Sequence, residues 1–270
     1  MKKVSLKQAT AFFALSKYIT VFVGIIISAV LARLLTPDDY GVVAVVTVFT
    51  TFFATLANMG FGTGVIQNKT LTSDDVNIIY SFTVWVSLVL SVTFCILSYP
   101  IALFYGRMVY VPVCCLLSIL NPFNAMNMIP NAVMLKEQRF VEVGALTIVS
   151  AVGSGILGIV LALCGWKYYA LVMQSVFSAM IPFVWNLIST RLKFLLRINM
   201  TPIRKILNYS MNQFGYNFIN MIAQNLDNLL TGKLMGSEQL AYYNKSYTLM
   251  RYPVNNIPHV ISPVLHPILS

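Results

Sequence analysis

Residues 11–43 read AFFALSKYITVFVGIIISAVLARLLTPDDYGVV, and this stretch sets the fold class. From Ala11 to Leu35 the chain carries only two charges, Lys17 and Arg33. One crossing of about 30 Å of hydrocarbon takes about 20 mostly apolar residues, so this run is long enough to span. A turn follows, in which Thr36-Pro37-Asp38-Asp39 pairs a proline with two acids. A second apolar run then begins at Gly41. The first run is too long for the apolar region of a signal peptide, and no small-residue cleavage pattern follows it, so it reads as an uncleaved span.

The same alternation continues along the chain, with expected spans at 11–33, 41–63, 78–102, 110–134, 143–164, 169–190, 206–232 and 245–269. Thr72-Ser73-Asp74-Asp75 resembles a helix N-cap before the third span, and Lys136-Glu137-Gln138-Arg139 cannot lie at bilayer depth. Hydrophobic residues make up 58% of the 270 positions and charged residues 10%, against ~25% charged in soluble domains. A soluble fold needs a polar coat that this composition cannot supply. The chain therefore reads as an all-α integral membrane protein of about eight transmembrane helices.

The net charge of +10 does not indicate nucleic acid, because Lys and Arg fall in short clusters between apolar runs. Eleven of the eighteen lie on one side of the expected topology and five on the other, with Lys17 and Arg251 inside spans. That excess places the N-terminus in the cytoplasm. Cys95, Cys114, Cys115 and Cys164 sit in apolar runs without metal-ligand spacing and read as small apolar side chains. His259 and His266 share a helix face but lack a third ligand. No glycine-rich phosphate loop, nucleophile motif or acidic cluster occurs, so neither an enzyme nor a cofactor is expected.

An internal repeat has an offset of 200 residues: Arg33-Leu34-Leu35-Thr36-Pro37-Asp38 lies over Lys233-Leu234-Met235-Gly236-Ser237-Glu238. Both copies are a span ending in a cation, two apolar residues, a turn and an acid. Two similar lobes are the expected cause: a six-helix lobe over 1–200, and the first two spans of a second over 201–270. On that division, the 270 residues alone are not expected to transport.

Polar groups inside the spans mark the candidate site. At 100° per residue Gln213, Asn217, Asn220, Gln224, Asp227 and Thr231 fall within about 40° of one line along the seventh span. A polar stripe cannot face lipid. Interhelical hydrogen bonding is one reading and the wall of a solvated cavity the other, which six aligned positions favour. The repeat maps Asn217 onto Lys17, whose ammonium either enters the same cavity or snorkels to headgroups. Asn58 closes a similar polar side on the second span, and Arg251 maps onto Thr51, with Asp227 as its expected partner.

Several ordered runs carry a resemblance: Leu31–Gly41, Gly60-Phe61-Gly62, Met134–Phe140, Asn225-Leu226-Asp227-Asn228, Tyr242-Tyr243-Asn244 and Ile261-Ser262-Pro263-Val264. Together they are similar to the Wzx-type oligosaccharide flippases, of the superfamily that also holds multidrug extruders. The resemblance implies two six-helix lobes around a central cavity in a bacterial inner membrane. The substrate it implies is an undecaprenyl-diphosphate-linked oligosaccharide, and polysaccharide polymerase and chain-length machinery are the implied partners beside membrane lipids. The stripe amides would meet sugar hydroxyls, and Lys17 and Arg251 would hold the diphosphate. Three other readings stand beside it. A drug or cation extruder would need an acidic site, where only Asp227 is intramembrane. A membrane-embedded polysaccharide-assembly enzyme would need a catalytic cluster. The third is an inactive flippase fragment.

Overall fold

The computed structural model describes residues 6–68, 70–195, 199–248 and 250. Helices α1 (Leu6–Leu34), α2 (Pro37–Asn58), α3 (Phe61–Gln67), α4 (Ser73–Tyr105) and α5 (Tyr110–Ser118) come first. They are followed by α6 (Leu120–Lys136), α7 (Phe140–Leu163), α8 (Tyr168–Thr190) and α9 (Met200–Leu234). Residues 237–248 are again helical, here α10. Among the described residues there is no strand.

Among the described residues, six segments are long and apolar enough to cross a membrane: Gln8–Leu34, Pro37–Gln67, Ser73–Tyr105, Tyr110–Lys136, Phe140–Leu163 and Tyr168–Thr190. They coincide with the first six expected spans, and the chain is a multi-pass helical membrane protein. Two of them are broken. Met59 and Gly60 both take positive φ, which separates α2 from α3, and α5 gives way to α6 at Ile119. The seventh expected span lies inside α9, which starts at 200 rather than 206 because Asn199 accepts from the Thr201 amide and caps it. At 1.5 Å per residue its 35 residues run about 52 Å, longer than the hydrocarbon is thick. The eighth helix begins at 237 rather than 245, and the greater part of the expected span 245–269, with Arg251, His259 and His266, lies outside the described residues.

Local chemistry explains the helix starts. Thr36 and Asp39 form a reciprocal capping box ahead of α2, and Thr72 and Asp75 do the same ahead of α4. The Lys136 ammonium donates to the carbonyls of Val65 (3.1 Å) and Asn68 (2.7 Å), closing the open end of α3.

Prolines inside spans leave carbonyls four residues earlier without a donor, and serines on neighbouring helices supply two of these. Pro122 frees the Ser118 carbonyl, which accepts from the Ser91 hydroxyl at 2.6 Å. Pro182 frees that of Ser178, which accepts from the Ser150 hydroxyl at 2.7 Å. These bonds stitch α4 to the α5–α6 joint and α7 to α8.

The packing around them is local. Helix α1 lies along α7, with Ser16 beside Gly144 and Ile27 beside Gly155, where a β-carbon would come within 1.9 Å of the isoleucine. The buried core of α2, α4 and α5 centres on Val45, Val46, Phe94 and Val113. A second core joins α3, α4 and α6 to Ile203 and Ile206 of α9. Large apolar side chains such as Ile96 and Ile188 stay outside, 69% and 71% exposed, where lipid covers them.

The serine stitches are directly testable. Ser91→Ala and Ser150→Ala should each lower stability by ~0.6 kcal/mol, the mean for interhelical hydrogen bonds in a membrane. Thr93→Ala is the control, because it removes a bond within one helix only. Reversible unfolding in mixed micelles should show no loss for Thr93→Ala and a loss for both serine variants.

A polar cavity between four helices

On α9 the buried face runs through Ile203, Ile206, Ser210, Met221, Asn228 and Gly232, and it packs on α2, α3 and α4. The stripe read from the sequence lies roughly 70° around the helix from that face. Its members bond one another: the Gln213 amide donates to Asn217 at 3.1 Å, and that of Gln224 to Asn220 at 2.7 Å. Asp227 accepts from the Tyr243 hydroxyl of α10 at 2.6 Å and from the Asn228 amide at 2.8 Å. Arg251, its expected partner, is outside the described residues. Asn58 is the half-buried last residue of α2. Lys17 is exposed, with its ammonium 5.1 Å from the Phe13 ring centroid.

A cavity of about 790 Å³ lies elsewhere, between α1, α2, α8 and α10, and reaches α6 and α7. Of the eight residues singled out in the sequence, none of those described lines it. Its polar wall includes Ser28, Tyr40, Asn124, Gln174, Asn244 and Lys245, and its apolar wall includes Ile25, Val43 and Leu171. Gly158 leaves room for Gln174, whose amide oxygen would stand 3.0 Å from a β-carbon there. Lys245 is the one cation among the described lining residues, and that lining contains no carboxylate. The Lys245 ammonium donates to the Ser28 hydroxyl at 2.6 Å and stands 4.2 Å from the Tyr40 ring centroid. The half-buried ammonium is thus held by one hydroxyl and one aromatic face.

By sequence alone Lys245 counts as a loop residue, at the edge of the eighth span. The signal that could place it deeper is the repeat, which sets Lys245 over Val45, well inside the second span. The helix ends obey that offset: α1 and α9 stop at Leu34 and Leu234, and α2 and α10 restart at 37 and 237.

Above the cavity, at the end away from the basic loops, three elements meet. Arg107, in the α4–α5 turn, reaches both carboxylate oxygens of Asp38 at 2.6 and 2.8 Å. The same guanidinium donates to the Ser237 hydroxyl at 2.7 Å, and Ser237 in turn donates to Asp38. The carboxylate beside it raises the already high pKa of Arg107. Asp39 accepts from the Tyr168 amide at 3.2 Å, bringing in α8.

A family model described as polysaccharide biosynthesis protein matches residues 30–270. The chain belongs to that family. This polysaccharide biosynthesis family member is 24% identical over 285 residues to an uncharacterized membrane protein in the cps region of Klebsiella pneumoniae. That alignment covers 99% of the chain and 56% of the relative. It is 23% identical over 226 residues to the teichuronic acid biosynthesis protein TuaB of Bacillus subtilis, covering 82% of the chain and 46% of the relative. The chain thus spans about half the length of these curated relatives. No solved structure matches it.

The closest approach of α10 to α2 needs a small residue. A β-carbon at Gly41 would fall 1.9 Å from the Ser237 carbonyl oxygen, whereas one at Gly24 would meet nothing within 4 Å. Gly41→Ala should therefore cost about 1–3 kcal/mol through overpacking. Gly24→Ala should be neutral or mildly stabilising. Thermal melts of the detergent-solubilised protein should separate the two.

Proposed function

We propose that the chain acts in a flippase that moves undecaprenyl-diphosphate-linked oligosaccharide units across a bacterial inner membrane for surface polysaccharide assembly. The carrying observation is the chemistry of the cavity: hydroxyls, amides and one ammonium, with no carboxylate among its described lining residues. Sugar hydroxyls need many neutral hydrogen-bond partners, and a diphosphate needs a cation. The lipid tail stays in the bilayer. A drug or cation extruder would need an acid in such a wall. The relatives, one in a cps region and one in teichuronic acid biosynthesis, support a role in a surface polymer.

In this reading 1–200 is the first lobe and 201–270 begins a second. The basic end faces the cytoplasm with the N-terminus. Lys17 and Arg251 are further cations for the diphosphate, and Asn58, Gln213, Asn217, Asn220, Gln224 and Asp227 hydrogen-bond sugars along the path. Polysaccharide polymerase and chain-length machinery receive the product, and the chain itself makes no covalent change.

The test is export in a host whose surface polysaccharide depends on this gene. Lys245→Gln should cut surface polymer at least about ten-fold, the factor that ~1.4 kcal/mol of lost charge-assisted binding gives. Lipid-linked units should then build up while membrane levels of the protein hold, and Lys245→Arg should keep part of the activity. Lys17→Gln and Arg251→Gln extend the series. Unchanged export in all three Gln variants would discard the anion reading, and an altered glycan structure without build-up would point to an enzyme. Orientation is checked separately: reporter fusions at Arg107, Lys136, Lys167 and Lys193 should alternate in sidedness.

A further inference from the structure

The cavity is not central along the membrane normal. Its lining residues run from Ile25 to Ala32 on α1, from Tyr40 to Thr47 on α2, from Leu171 to Ala179 on α8 and from Ala241 to Thr248 on α10. On these four helices the lining lies within about 17 Å of the ends that face away from the basic loops, and Asn124 of α6 lies about 21 Å from the start of its span at Tyr110. The Asp38–Arg107–Ser237 cluster sits on those ends. Asp38 is two residues before Tyr40 of the lining, and Ser237 is four before Ala241, so the cluster stands about one helical turn or less above the cavity.

Its composition is that of a closure rather than a core. Asp38 and Arg107 have half-exposed side chains, 50% and 41% accessible. The fork between them is bidentate, and Ser237 completes a triangle with both partners. The three residues come from α2, the α4–α5 turn and the start of α10, so one guanidinium holds α10 down on two other elements. A further contact acts at the same end: the Lys233 ammonium donates to the Phe104 carbonyl and stands 4.3 Å from the Phe104 ring centroid. The link from α9 to α10 passes through Gly236 at φ +89°, a conformation open to glycine. An exposed ion pair is weak enough to break and reform, unlike the apolar seam of α2 with α9.

We propose that Asp38, Arg107 and Ser237 form a latch that closes the cavity toward the side opposite the basic loops, and that its release opens the cavity to that side. The latch rests on the transport reading of the cavity, but its test reads access alone. On a background with Cys95, Cys114, Cys115 and Cys164 replaced by Ala, Asn244→Cys serves as the reporter. A membrane-impermeant maleimide is added to spheroplasts and the labelling rate is measured.

Arg107→Asp and Asp38→Arg should each raise the rate about five-fold, the upper range for losing an exposed ion pair. The double variant with both exchanged should return it to the parent rate. Ser237→Ala, which strands no charge, should give a smaller rise in the same direction and guards against misfolding of the charge variants. Equal rates in the parent and all single variants, or no recovery in the exchanged pair while Ser237→Ala is silent, would overturn the latch. Either result would leave the export test of Lys245 standing, and a failed export test would leave the access result standing.

Discussion

Hydrocarbon offers a backbone carbonyl nothing to bond to, and two of the prolines inside the described spans show how this chain answers that. Ser91 and Ser150 supply donors that Pro122 and Pro182 removed. Lys136 closes α3, and capping boxes open α2 and α4. Thr47, Thr51 and Thr55 return their hydroxyl protons to carbonyls four residues back on α2. Most small polar side chains in the spans are thus committed to the backbone. Against that background Lys245 stands out, because its ammonium meets a hydroxyl and a ring rather than a backbone group.

Much of the fold is readable because hydropathy and charge are local properties. The first six spans, the turn at Pro37, the Thr72 start and the break after Lys136 all follow from runs of a few residues. The 200-residue offset also carries real positional content, since the ends of α1 and α9 and the starts of α2 and α10 keep it. The site is less legible. Angular bookkeeping finds the aligned polar residues on α9, but it cannot say which helix stands opposite them, and that is a tertiary fact. A charge at the edge of an apolar run reads as a boundary, yet an aromatic face and a hydroxyl let Lys245 sit about two turns inside a helix. The partnership of Arg107 with Asp38 joins residues 69 apart in sequence, and nothing local announces it.

The two repeats share register but not surroundings. On α1, Phe13 meets Phe140, Ser16 meets Gly144 and Ile27 meets Gly155 of α7. The positions 200 residues later are Gln213, Tyr216 and Asp227, of which Tyr216 is 67% exposed. One register therefore serves a tight seam of small and apolar residues in one copy and a hydrogen-bonding flank in the other.

That flank has a consequence for how the protein is made. A helix emerging from the insertion machinery must settle in lipid before later helices exist to pair with it. Unpaired amides would hold α9 back in water. By bonding Gln213 to Asn217 and Gln224 to Asn220, α9 carries its own partners from the moment it forms. One oxygen of Asp227 already accepts from the Asn228 backbone amide, and the other meets the Tyr243 hydroxyl, which arrives sixteen residues later. The order of synthesis and the order of satisfaction therefore coincide along α9 and α10.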